Sequence, residues 1–129
     1  MTVLVGYVPT PEGDAAFAAA LDEAGRRAEP LLLLNSPRGG APVSTDVAAE
    51  DAVQQMTDRA EAAGVDLQVR QTPHTGEIAD EVLRVAQETD ASVIVIGLRK
   101  RSPVGKLLMG SSAQRILLDA DRPVLAVKP

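Results

Sequence analysis

Apolar positions along the chain fall into two alternating kinds of segment. Short unbroken runs occur at Val3-Leu-Val-Gly-Tyr-Val8, Leu31-Leu-Leu-Leu34, Ser92-Val-Ile-Val-Ile96 and Pro123-Val-Leu-Ala-Val127. Runs this short are too brief for helices and read as strands covered on both faces. Val65-Asp-Leu-Gln-Val-Arg70 alternates instead, as a strand nearer a sheet edge does. Between these runs the apolar residues recur three and four apart. Phe17, Ala20, Leu21 and Ala24 mark one amphipathic helix within Ala15–Arg27. Val47, Ala48, Val53, Met56 and Ala60 mark a second over Thr45–Ala63, stopped by Gly64. Ile78, Val82, Val85 and Ala86 mark a third over Glu77–Thr89, and a fourth is predicted near 111–120. Thr10 before Pro11 has the form of an N-cap followed by proline at the first helical position.

The predicted strands, near 3–8, 31–35, 65–70, 92–96 and 123–127, therefore alternate with helices throughout. That order predicts a parallel sheet with right-handed crossovers and helices on both faces, a three-layer α/β/α sandwich. Ligands of such sheets sit beyond the carboxyl ends of the strands, where the strand order reverses. With the order 3-2-1-4-5 the reversal lies between strands 1 and 4, flanked by Pro9-Thr10-Pro11 and the 97–112 loop. No repeat or linker interrupts the pattern, so residues 1–129 are read as one domain. The irregular stretch 36–44, rich in Pro, Gly and Ser, reads as a mobile loop.

Composition narrows the function. The chain has one Phe, one Tyr and no Trp, which disfavours base-stacking platforms for single strands. Its formal net charge of −5 argues against a dedicated nucleic-acid binder. The absence of cysteine excludes disulfides, thiolate nucleophiles and zinc–thiolate sites. The first residues carry no basic, then apolar, leader and no stretch is long enough to span a membrane, so the expected location is the cytoplasm.

Against this acidic background, residues 97–115 hold Arg99, Lys100, Arg101, Lys106 and Arg115 and no acid. With those five positive charges set apart, the rest of the chain sums to −10. Gly110-Ser111-Ser112 opens the fourth helix, and a glycine with free amides and hydroxyls at a helix N-terminus suits a phosphate. Ser111 with Gln114 three residues on also has the form of a capping box, which leaves the end electropositive. Gly97 closes the fourth strand and has the alternative reading of a turn glycine at positive φ. The cations have the alternative reading of a solvated or ion-paired surface. Ser102-Pro103 and Val104 to Met109 read as a short helical turn packed by Val104, Leu107, Leu108 and Met109.

Other chemistry is thin. Val104-Gly-Lys-Leu is no Walker loop, because Lys106 precedes Leu107 and no glycine stands five residues before Gly105. His74 is the only histidine, which rules out a polyhistidine metal site, and no nucleophile elbow accompanies it. Glu50-Asp51 and Asp80-Glu81 read as solvated helix faces. No catalytic or metal constellation is predicted.

Strand 4, the loop Gly97 to Ser111, and the close Arg115-Ile-Leu-Leu with Arg122-Pro-Val-Leu-Ala-Val127 resemble the universal stress protein family. Its nucleotide-binding members carry Gly-x2-Gly-x9-Gly-Ser/Thr; Gly97, Gly110 and Ser111 match, with Lys100 in place of the second glycine. The resemblance implies a flavodoxin-like sandwich of order 3-2-1-4-5 and a homodimer formed through the last strand. It implies an adenine nucleotide, ATP or AMP, with Mg2+ admitted beside it. Carried over by position, Val8, Pro9, Thr10 and Ser36 approach the base, and Ile96 and Gly97 the ribose. Arg99 joins the site; Lys100, Gly110, Ser111 and Ser112 meet phosphate. The family's acid after strand 1 is absent here, Glu12 being the nearest.

The leading expectation is a stress-response regulatory module that binds an adenine nucleotide, with at most slow ATP hydrolysis. A dimeric interaction protein of the same fold without nucleotide binding is the alternative, favoured by Lys100 and the missing acid. An enzyme acting on a phosphorylated small molecule in the same cleft is a third reading, and it lacks catalytic residues.

Overall fold

A computed structural model of the chain describes residues 1–36, 50–99 and 110–129. Nine elements follow in order: β1 (Thr2–Gly6), α1 (Pro11–Arg27), β2 (Leu31–Leu34), α2 (Glu50–Ala62), β3 (Leu67–Arg70), α3 (Ile78–Glu88), β4 (Ala91–Gly97), α4 (Ser111–Asp119) and β5 (Val124–Val127). The strands form one parallel sheet of order β3-β2-β1-β4-β5. The predicted alternation and strand order are thus both found. Thr45 to Ala49, with Val47 and Ala48, lie outside the described residues, as do the 37–44 loop and the Val104–Met109 turn.

The unbroken apolar runs are explained by two cores, one on each face. Val3, Val5, Leu31, Leu33, Val93 and Val95 point to the α1–α2 side and pack with Phe17, Ala20, Met56 and Ala60. Their neighbours Leu4, Leu32, Leu34, Ile94 and Ile96 point to the other side, against Val82, Val85 and Ala86 of α3 and Ile116 of α4. Successive side chains on a strand alternate faces, so a strand covered twice has no polar position to spare. β3 and β5, at the edges, have no fully buried residue, and Gln68 and Leu125 are exposed.

Two devices fix the ends of the elements near the switch between β1 and β4. Thr10 caps α1, its hydroxyl accepting from the Gly13 amide at 3.1 Å, with Pro11 following in the first turn. Gly13 and Gly97 then let backbone approach backbone. A Cβ on Gly13 would stand 1.8 Å from the Val8 carbonyl oxygen, and one on Gly97 would stand 2.1 Å from that of Glu12. Gly97 does not adopt positive φ, so the turn-glycine reading is replaced by close packing of α1 on β4.

Candidate functional site

The carboxyl ends of β1 and β4 part around a cavity of about 170 Å³ at the point where the strand order reverses. Its floor is Gly6 and Ile96, its far wall Ile78 and Val82 of α3, and its roof Ala113 and Ile116 of α4. Glu12 and Gly13 close it from α1, and Ser36 from the end of β2. An apolar cavity of ~150 Å³ holds a benzene-sized ring, so the space suits one flat ring system. Gly6 keeps it open: a Cβ there would have only Val82 Cγ2 near it among the described residues, at 3.9 Å.

Of the residues predicted for the site, Val8, Ser36, Ile96, Gly97 and Ser112 line the cavity together. Pro9 and Arg99 are exposed and Thr10 is engaged in its cap, none of the three lining it. Gly110 and Ser111 are exposed beside the rim at the start of α4. Lys100, with Arg101 and Lys106, lies outside the described residues. The capping box on Ser111 is not formed. Gly110 is the N-cap, with φ −61° and ψ 153° and no side-chain cap bond, and Ser111 is the first helical residue. The Gln114 backbone amide donates to the Gly110 carbonyl oxygen at 3.1 Å, the first bond of the helix. The next amides of the first turn have no intrahelical acceptor, as at any helix start, and Ser112 sets that turn at the cavity mouth.

Arg115 belongs to a different arrangement from the one its place in the cationic stretch implies. It is bonded to Glu77, stands 2.6 Å from Asp80 and 3.5 Å from Asp119, and so ties α4 to α3. The hydrogen bond to Glu77 and the charge of Asp80 hold its pKa above the ordinary value. The ion-paired reading therefore holds for this residue, and Arg99 remains exposed.

Sequence reasoning missed a polar brace beneath the cavity. Asn35, fully buried, donates to the Tyr7 carbonyl at 3.0 Å and accepts from Gln71 at 3.1 Å, while its amide donates to the Arg70 carbonyl at 2.9 Å. One side chain thus joins the ends of β1, β2 and β3. Its place in an Asn-Ser-Pro sequence reads as a turn signal, and only the sheet order shows what it spans. Tyr7, also buried, donates its hydroxyl to Asp14 at 3.1 Å. Burial, then the bond to Asp14 and its charge, push the phenol pKa up to about 12. Among the described residues no three His, Cys, Asp or Glu side chains gather as metal ligands would. No helix there is long and apolar enough to cross a membrane.

With this geometry in hand, similarity to known proteins becomes specific. A model of the universal stress protein family matches residues 1–128. The chain belongs to the universal stress protein family. A universal stress protein of Mycolicibacterium smegmatis is 42% identical over 127 residues, covering 98% of this chain and 97% of its own. The structure of a universal stress protein from Archaeoglobus fulgidus superimposes with a TM-score of 0.83 at 30% identity, over 99% of this chain and 98% of the other. A further universal stress protein from that organism, solved in complex with dAMP, superimposes with a TM-score of 0.73 at 22% identity, over 99% and 98%. At that identity the likeness establishes the shared fold, and the bound dAMP is a property of that relative.

Proposed function

We propose that this family member binds an adenine nucleotide, ATP or AMP, at the β1–β4 switch and acts as a nucleotide-dependent regulatory module. The observation that carries the reading is the cavity itself: apolar walls sized for a ring, with the first turn of α4 at its mouth. The base and ribose fit between Val8, Ser36, Ile96 and Gly97. Gly110, Ser111 and Ser112 would offer amides and hydroxyls to phosphate, since a helix N-terminus favours negative charge. Mg2+ would accompany ATP through the phosphates, keeping several of its waters. A family relative holding dAMP supports the nucleotide class.

Filling the cavity tests this. Gly6→Val adds bulk on the floor, where the nearest described atom to a Cβ lies 3.9 Å away. The expected result is loss of at least about tenfold in affinity for AMP and ATP by calorimetry, with the fold retained by circular dichroism. Unchanged affinity would place the ligand elsewhere.

The second reading, an interaction protein acting as a homodimer through the last strand, is favoured by one surface. Leu118 on α4 is 81% exposed, Leu117 and Leu125 are partly so, and among the described strands β5 pairs with β4 alone. An open strand edge beside apolar side chains is a template for pairing with a second copy. Sedimentation of the wild type against Leu118→Glu tests it: a dimer converted to monomer supports the reading, and a monomeric wild type removes it.

A further inference from the structure

Ser36 and His74 meet where β2 and the segment after β3 leave the sheet. The Ser36 hydroxyl oxygen lies 2.5 Å from the Thr72 carbonyl oxygen and 3.1 Å from His74 Nδ1. Ser36 is buried and lines the cavity. A serine hydroxyl has one proton and a carbonyl oxygen has none, so the proton lies between Ser36 and Thr72. The hydroxyl oxygen then turns a lone pair toward Nδ1, and the hydrogen in that contact must belong to the imidazole. His74 is therefore the Nδ1–H tautomer when neutral.

We infer that His74 holds the Ser36 hydroxyl as an acceptor toward the cavity, so that the site favours a purine bearing an amino group over its oxo counterpart. The inference rests on the nucleotide reading above and adds to it a reason for base choice. With its proton on Thr72 and one lone pair on His74, the hydroxyl has one lone pair left and nothing to donate. An exocyclic amino group supplies the missing hydrogen. An oxo group brought to the same point sets acceptor against acceptor. Turning the hydroxyl to meet it would strip the Thr72 carbonyl of its partner, and an unmade bond in a buried setting weighs more than a made one gains. His74 is a positioning residue here, acting through Ser36.

Two measurements test this. Nitrogen NMR of His74, the chain's only histidine, reads the tautomer without any ligand: Nδ1–H is expected, and Nε2–H overturns the inference. Titration with AMP and inosine monophosphate then reads selectivity. The wild type is expected to prefer AMP by about tenfold or more, and Ser36→Ala and His74→Ala to bring the ratio within about threefold. His74→Asn, whose amide N–H can replace Nδ1–H, is expected to keep the preference, which a merely structural role for His74 does not require. An AMP preference equal in wild type and Ser36→Ala overturns the inference and leaves nucleotide binding standing. Binding of neither nucleotide at millimolar concentration overturns both.

Discussion

Gly97 and Gly6 end neighbouring strands at the same cavity, yet alanine is expected to act on them with opposite sign. At Gly97 the added carbon would stand 2.1 Å from the Glu12 carbonyl oxygen and 2.6 Å from its carbon. Both are backbone atoms of α1, so no rotamer relieves the overlap; the helix start must move by about an ångström away from β4. That movement opposes the Thr10 cap and the Gly13–Val8 approach, which hold the same turn. Overpacking costs 1–3 kcal/mol in typical cores, and a backbone-to-backbone clash belongs at the upper end, about 3 kcal/mol. For a chain of this size each kcal/mol corresponds to roughly 4 °C, so Tm is expected to fall by about 12 °C. At Gly6 the new carbon meets only Val82 Cγ2, at an ordinary 3.9 Å. There alanine removes backbone freedom from the unfolded chain and is expected to stabilise by about 0.5 kcal/mol. Paired urea and thermal unfolding of the two variants decides the matter. A Gly97→Ala protein melting within about 3 °C of wild type, or a Gly6→Ala protein melting well below it, would refute the close-packing account.

Further outcomes follow from single features of the site and its frame. Tyr7 is the only tyrosine and there is no tryptophan, so ultraviolet tyrosinate absorbance reports it alone; it is expected to titrate near 12 when folded, against about 10 unfolded. Because the folded value is the higher one, this group's contribution to stability is complete below pH ~10 and lost as pH rises toward 12; Tyr7→Phe is expected to remove that part of the alkaline loss. Arg122, with its side chain 14% exposed, donates to the carbonyls of Ala86 at 3.0 Å and Ala91 at 2.9 Å. Arg122→Ala is expected to cost about 2 kcal/mol in urea unfolding. Gly110→Asp gives α4 a side-chain cap where φ and ψ already suit one, so stability is expected to rise by a few tenths of a kcal/mol. The same carboxylate repels phosphate, so nucleotide affinity is expected to fall about tenfold, and a parallel gain in both would contradict the assigned phosphate position.

The sheet was legible because each strand carries its own signal: the doubly covered runs 31–34 and 93–96 lack polar positions, and 65–70 alternates. Helix faces were legible for the same reason, as Phe17, Met56 and Val82 recur at helical spacing and are buried. Strand alternation also places the switch point, and with it Val8, Ile96 and Gly97. What stayed hidden depends on partners distant in sequence. Gly13 and Gly97 are required by Val8 and Glu12, Arg115 is drawn off by Glu77 and Asp80, and Asn35 spans three strands. Local pattern assigns such residues to turns, caps or charged surface, because it holds no information about what lies across the sheet. The cap of α4 differs by one position for a local reason: Gly110 already takes the extended conformation that a cap needs, so Ser111 enters the helix.

The glycine contacts that join α1 to β4 make the cavity unequal on its two sides. The α1 wall is backbone seated on backbone, with no slack to yield. The α3–α4 wall is side chain against side chain, built from Ile78, Val82, Ala113 and Ile116. Leu117 and Leu118 are exposed on α4, the helix whose Ala113 and Ile116 line that softer side. One short helix thus borders the cavity with one set of side chains and turns apolar ones outward, opposite the closely seated start of α1.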